Sequence, residues 1–80
     1  MKNEQNLTLA FLPVGTEAKV TNINGNSAVT RRLMEMGVVP GVLVKVVKTA
    51  PFGDPLEIRV RGYKLAMRRN EAEAIEVNEV

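Results

Sequence analysis

The sequence predicts a mainly β domain with one short α-helix, on three observations. The chain has 80 residues, enough for one hydrophobic core. Turn-forming Gly, Pro and Asn residues recur at intervals that leave room only for short strands. Several of these intervals alternate apolar and polar residues, which is the period of a half-buried strand. No repeat, low-complexity stretch or linker divides the chain. We therefore expect one domain over residues 7–80, preceded by a flexible segment over residues 1–6.

Five segments have the pattern of β-strands. The clearest covers residues 56–61, where apolar and charged residues alternate strictly, so that one face belongs to the core and the other to solvent. With residues 63–68 it forms a predicted hairpin that turns near Gly62. The other three strands are expected over residues 17–23, 42–48 and 75–80. Core-facing positions outside the clearest strand are expected at Ala18, Val20, Leu65, Met67, Ile75 and Val77.

One α-helix is predicted between the first and second strands. Asn26 or Ser27 can cap its first turn, because either side chain accepts a hydrogen bond from a free backbone amide. Gly37 stands at the usual C-terminal glycine position. The residues expected on its buried face, by their helical spacing, are Val29, Leu33 and Met36.

Two single helical turns complete the predicted elements. Thr8 is the expected cap of a turn over residues 9–12, which Pro13 ends. Asn70 is the expected cap of a turn over residues 71–74, with Glu73 placed as in a capping box. Five short strands with so little helix in 80 residues favour a small SH3-like β-barrel. An OB-fold is the alternative, although it usually needs a longer chain.

The chain contains neither cysteine nor histidine. This excludes disulfides and thiolate nucleophiles, and it removes the commonest general base and transition-metal ligand. Asp54 and Glu57 lie near one loop, but nothing beside them in sequence favours paired-carboxylate catalysis. Glu73 and Glu76 could hold a hard cation only weakly, and a solvated acidic face is the favoured interpretation. We therefore expect no catalytic residue, no metal-binding residue and no cofactor, and a function in binding.

Positive charge is concentrated in residues 45–69, which carry seven basic residues, whereas residues 70–80 carry four acidic residues and no basic one. Nucleic-acid binding by the basic residues is disfavoured, because the chain has only three aromatic residues to stack on bases. The basic residues of the predicted hairpin are Arg59, Arg61, Lys64, Arg68 and Arg69. The scarcity of aromatics also argues against the proline-rich ligands of conventional SH3 domains.

Phe52 is the aromatic residue of most interest, because it lies in a loop rich in Pro and Gly. It can either anchor a partner or fold down to close one end of the barrel, and the sequence does not decide between these alternatives.

No apolar run is long enough for a membrane span or a signal peptide. We therefore expect no membrane insertion and a cytoplasmic location.

The order and spacing of these signals resemble the FeoA family, small proteins of ferrous iron transport. The resemblance covers residues 7–77 and rests on segments that are weak singly and strong together. They are Leu9-Ala10-Phe11-Leu12-Pro13-Val14-Gly15, Arg31-Arg32-Leu33-Met34-Glu35-Met36-Gly37-Val38-Val39-Pro40-Gly41, Ala50-Pro51-Phe52-Gly53-Asp54-Pro55-Leu56, Arg61-Gly62-Tyr63-Lys64-Leu65-Ala66-Met67-Arg68 and Glu71-Ala72-Glu73-Ala74-Ile75-Glu76-Val77.

The resemblance implies an SH3-like accessory protein of bacterial ferrous iron uptake that binds and modulates the cytosolic part of the membrane transporter FeoB. The same domain type ends iron-dependent repressors, so a metal-sensing or metal-binding module is the alternative. The family offers no catalytic residue to carry over. Partner contacts are expected on the 51–55 loop and on the unpacked side of the helix. The candidate residues are Arg32, Glu35, Pro51, Phe52 and Asp54.

Overall fold

A computed structural model describes residues 7–25 and 28–80. The five predicted strands are confirmed, with ends shifted by at most a single residue. The expectation for residues 1–6 lies outside the described part of the chain. In chain order the elements are a 3₁₀ turn Leu9–Phe11, β1 Glu17–Ile23, α1 Ala28–Glu35, β2 Leu43–Thr49, β3 Leu56–Val60, β4 Tyr63–Met67, α2 Arg69–Ala72 and β5 Ile75–Glu79.

The strands form one antiparallel sheet in the order β4-β3-β2-β1-β5. The predicted hairpin is confirmed: Val60 pairs with Tyr63, which leaves Arg61 and Gly62 as the turn. Their φ angles of 52° and 91° are both positive, as a type I′ turn requires. Register shifts in β1 and β2 bend those strands, so that the sheet can wrap around its contents.

A single hydrophobic core lies on one face of the sheet, and every strand contributes to it. The strict alternation of β3 is explained by this core, because its apolar residues are buried while Arg59 between them is exposed. Of the predicted core-facing residues, only Leu65 is half-buried; the others are fully buried. None of the described helices is long and apolar enough to cross a bilayer.

Helix α1 confirms part of the predicted face. Leu33 is buried and Met36 is half-buried, but Val29 is 36% exposed, so its placement was wrong. Thr30 takes the buried position in the first turn, three residues before Leu33, and its Oγ1 hydroxyl donates to the carbonyl of Asn24 at 3.3 Å. Gly37 ends the helix as predicted: its φ of 98° favours glycine, and the Val38 N–H donates to the carbonyl of Leu33 at 3.0 Å. The predicted caps Asn26 and Ser27 lie outside the described residues.

The two short turns exist, but their predicted caps are wrong. The Thr8 side chain makes no capping hydrogen bond, and its buried Oγ1 has no partner in the described part of the chain. The second turn, α2, begins at Arg69, so Asn70 lies inside it and Glu73 lies just beyond its end. Glu71 takes the capping role instead, because its Oε1 accepts from the Arg68 N–H at 2.9 Å. An arginine side chain has no acceptor, so only this half of a capping box can form.

Candidate partner-binding surface

The loop between β2 and β3, residues 50–55, is held in one shape by its own backbone; we call it the Phe52 loop. The Gly53 N–H donates to the carbonyl of Ala50 at 2.8 Å, and the Ala50 N–H donates to the carbonyl of Pro55 at 3.1 Å. Gly53 has a φ of 84°, which a side chain would strain, and a Cβ there would lie 3.3 Å from the Arg69 guanidinium. One hydrogen bond therefore joins the two ends of the loop, and the other fixes the turn at Gly53.

Arg69, the first residue of α2, fastens this loop to the rest of the domain. Its Nε donates to the carbonyl of Gly53 at 3.0 Å, and its Nη1 donates to the carbonyl of Ala10 in the 3₁₀ turn. Its backbone N–H donates to Oδ1 of Asp54 at 2.9 Å. One half-buried arginine thus joins three segments that are distant in sequence. Asp54, a predicted contact residue, has a structural role at the start of α2.

Two aromatic side chains project from the segments that Arg69 joins. Phe52 is 97% exposed, which excludes the alternative that it folds down to close one end of the barrel. Phe11 is 68% exposed and follows Ala10 directly. Since Phe52 precedes Gly53, each aromatic residue adjoins a carbonyl bound by the same guanidinium. The backbone segments that carry Phe11 and Phe52 therefore lie at one end of the domain, and Pro51 next to Phe52 is also exposed.

The predicted contact residues of α1 are not equally close to this end. Arg32 is exposed, and its Nη2 lies 3.0 Å from Oε2 of Glu71, which connects α1 to the beginning of α2. Arg32 and Pro55 also line the same shallow depression. Glu35 is exposed at the end of α1 and has no ion-pair partner among residues 7–25 and 28–80. Arg32 thus lines a depression with Pro55 of the Phe52 loop, whereas no contact within the described residues links Glu35 to that loop.

The carboxylates are engaged separately. Asp54 caps α2, whereas Glu57 pairs with Nζ of Lys64 at 3.4 Å, so the two do not face each other as a catalytic pair would. Oε2 of Glu76 accepts from Nδ2 of Asn24 at 2.6 Å. Within the described residues, no group of three acidic side chains is placed to hold a metal ion.

The basic residues of the hairpin do not form one surface. Arg69 points inward to the backbone carbonyls of other segments, and Lys64 is paired with Glu57. Arg59 and Arg61 are exposed on the sheet and its turn, and Arg68 is exposed just after β4. This division lowers the number of cations that could meet a nucleic-acid backbone together.

Sequence reasoning missed two residues of this surface, Phe11 and Arg69. Phe11 was assigned to a helical turn with no further role, and Arg69 was counted with the exposed bases. The bond between Arg69 and Ala10 joins residues 59 positions apart, and no local pattern predicts such a contact. The sequence signal for Phe11 was only that a large aromatic residue stands beside a turn-ending proline.

Comparisons with known proteins identify relatives of this chain. The FeoA domain family matches residues 7–79. A fusion protein of Fe(2+) transport protein A and the Fe(2+) transporter FeoB from Porphyromonas gingivalis is 35% identical over 71 residues, which is 89% of this chain. The chain spans only 8% of the length of that fusion protein.

Solved structures share the fold. The solution structure of FeoA from Chlorobium tepidum is 46% identical, with a TM-score of 0.87 over 92% of this chain and 70% of its own. FeoA from Stenotrophomonas maltophilia, a prokaryotic SH3 domain protein solved with zinc, is 37% identical, with a TM-score of 0.80 over 90% of this chain and 89% of its own. A manganese-dependent transcriptional repressor, 16% identical, shares the fold alone, with a TM-score of 0.86 over 98% of this chain and 38% of its own. The predicted SH3-like fold is confirmed.

Proposed function

The chain belongs to the FeoA family, and on that premise we propose that it is a non-enzymatic accessory protein of bacterial ferrous iron uptake. In this proposal it binds the cytosolic part of the iron transporter FeoB and modulates transport. The domain therefore works on the cytoplasmic side of the membrane without inserting into it.

The fusion protein of Porphyromonas gingivalis supports this choice of partner. There a related domain and the transporter share one polypeptide. Covalent linkage keeps two modules at a high effective concentration, so that even a weak contact between them is populated. The same contact, made by the related domain of this chain, is the interaction that we propose.

The exposure of Phe52 on a fixed loop is the single observation that supports a particular surface of the domain as the contact with the transporter. A phenylalanine that is 97% exposed gains nothing for the stability of its own domain. Its loop is nevertheless fixed by the hydrogen bonds of Gly53 and Arg69. Binding then costs little further ordering of the loop, and an aromatic side chain is the residue type that most often dominates interface energies. Phe52 is therefore assigned as the anchor, with Phe11 and Pro51 beside it.

Charge and shape around the anchor favour a protein partner. Arg32 lies near the same end of the domain and keeps part of its guanidinium accessible beside Glu71. Charged groups at the rim of an interface steer association, whereas the apolar centre provides affinity. The proposal therefore assigns Arg32 to the rim of the contact, and it leaves Glu35 outside.

Mapping the contact by NMR tests the proposal. The ¹⁵N-labelled chain is titrated with the purified cytosolic domain of the transporter. We expect the largest chemical-shift changes at the amides of the Phe52 loop and of Phe11, and loss of normal iron uptake when the gene is deleted. If the amides do not shift at high partner concentration and deletion leaves uptake unchanged, the proposal is wrong.

The second candidate, a metal-binding module, is favoured by one observation: the relative from Stenotrophomonas maltophilia was solved with zinc. This chain has no histidine or cysteine, which are the usual ligands of zinc. Anaerobic calorimetric titration with ferrous iron separates the two candidates. One-to-one binding of ferrous iron in the micromolar range or tighter would support the metal-binding function. Absence of a heat of binding would exclude it and favour the adaptor function.

A further inference from the structure

The outward face of the sheet carries a row of basic side chains far from the Phe52 loop. Lys45 of β2 lies directly across from Arg59 of β3, and Glu17 of β1 lies on the other side of Lys45. Arg61 comes two residues after Arg59, in the turn of the hairpin. This turn lies at the end of β3 opposite to the Phe52 loop. We call Lys45, Arg59 and Arg61 the basic row.

The basic row carries more positive charge than Glu17, the one carboxylate beside it among the described residues, can balance. In the part of the chain that the structure describes, none of its three side chains forms an ion pair with a carboxylate. The neighbouring Lys64 differs, because Glu57 pairs with it at 3.4 Å. Like charges directly opposite each other on two strands are unfavourable, so the Lys45–Arg59 pair offsets part of the favourable pairing of Lys45 with Glu17. Exposed positive charge that the domain does not pair is available to an acidic partner.

An apolar side chain lies within the same row. Leu43 is 45% exposed on β2 and lies on the same face as Lys45. It is also close to Arg61, because the residue after it, Val44, pairs with Val60. Leu43 and the basic row together line a shallow groove of about 410 Å³, whose only carboxylate among the described residues is Glu17. The groove therefore offers three cations around one exposed aliphatic surface.

We propose that this groove binds an acidic segment of a partner protein, with an apolar side chain of that segment on Leu43 and its carboxylates on the basic row. Strand geometry supports this occupant, because alternate residues of an extended peptide point to the same side, and acidic and apolar positions can face the row in turn. The attraction steers encounter and is screened by salt. The inference does not require the partner to be the transporter, so it stands or falls separately from the proposed function.

Other anionic occupants fit less well. A nucleic acid would need stacking platforms, and no aromatic residue lines the groove in the described part of the chain. A second copy could offer the acidic residues 71–79, but the apolar residues Ala72, Ile75 and Val77 among them are buried and cannot meet Leu43. An acidic protein segment uses both the charge and the exposed Leu43.

A peptide titration tests the inference on the full chain. The probe is a short synthetic peptide in which serines separate alternating glutamate and leucine residues, so that an extended backbone turns both kinds of side chain to one side. It is added to the ¹⁵N-labelled protein at low salt. Two control peptides replace glutamate by glutamine or leucine by glycine. The test variant is Lys45→Gln with Arg59→Gln. The matched control, Arg31→Gln with Lys48→Gln, removes the same net charge from exposed positions outside the groove.

We expect the probe to shift the amides of Leu43, Lys45 and Arg59 first. Its affinity should fall between about threefold and tenfold in the test variant, since two exposed ion pairs are lost. The control variant, folded like the test variant by circular dichroism, should bind within about twofold of the wild type. Each control peptide should bind more weakly, and added salt should weaken the probe.

Four results would overturn the inference. The first is that no amide shifts at a millimolar concentration of the probe, and the second is that the test and control variants lose equal affinity for it. The third is that an oligothymidylate or phosphatidylglycerol vesicles bind more tightly than the probe through the same side chains, and the fourth is self-association in sedimentation that the test variant abolishes. The last two would assign the groove to another occupant. None of these results bears on whether Phe52 binds the transporter.

Discussion

Replacing Arg69 by methionine removes the side-chain bonds that join α2 to the Phe52 loop and to the 3₁₀ turn, while keeping an unbranched side chain of similar length. Two hydrogen bonds from a charged donor are lost, to the carbonyls of Gly53 and Ala10. Ala10 is buried, so its carbonyl is left without a partner, whereas Gly53 is half-buried and regains water. A hydrogen bond to a charged group contributes about 1.5–3 kcal/mol, and partial exposure places this pair at about 2–3 kcal/mol together.

For a domain of this size, such a loss lowers Tm by about 10–15 °C. The assay is urea and thermal denaturation followed by far-ultraviolet circular dichroism, with Arg31→Met as the matched control. Arg31 is exposed, and its replacement should change the free energy of unfolding by less than about 0.5 kcal/mol. Hydrogen exchange at the Gly53 amide should also become faster in the Arg69 variant. Equal stability of the two variants would refute the reasoning that Arg69 fixes the loop.

Three further predictions concern stability. Gly53→Ala should destabilise the domain by about 1–2 kcal/mol in urea denaturation, because of its positive φ and its closeness to Arg69; an unchanged midpoint would contradict this. Thr8→Val should stabilise by about 1 kcal/mol, since it removes a buried hydroxyl without a partner, and a lower Tm would show that the hydroxyl is used. Ile58→Ala should cost about 2–4 kcal/mol, because Ile58 is fully buried in the core; a loss below about 1 kcal/mol would place it outside.

The strands could be predicted because each depends on local information. Alternation in β3 indicates its buried face directly, and Gly62 marks the turn that joins it to β4. The caps could not be predicted in the same way. Glu71 and Asp54 share the start of α2, and Asp54 comes from a loop that only tertiary packing brings there. The outward position of Val29 likewise depends on which side of α1 meets the sheet.

The sequence names Pro51 and Phe52 as candidate contact residues, but it does not show how their loop is held. Pro51 and Phe52 could be named because Pro and Gly keep a loop at the surface. Their attachment to Phe11 could not, because it passes through Arg69 and a bond that spans the chain. The basic row could not be predicted from the sequence either, because Lys45 and Arg59 become neighbours only through the register of β2 and β3.

The proposed function depends most directly on Phe52, and the measurement that tests it is the affinity of Phe52→Ser for the cytosolic domain of the transporter. Because Phe52 is exposed, the variant should fold with wild-type stability within about 0.5 kcal/mol. Loss of an aromatic anchor worth 2 kcal/mol or more would weaken binding by about thirtyfold. Val80→Ser, which changes an exposed apolar residue outside both the Phe52 loop and the basic groove, is the matched control for this contact. Wild-type affinity in the Phe52 variant would contradict the account.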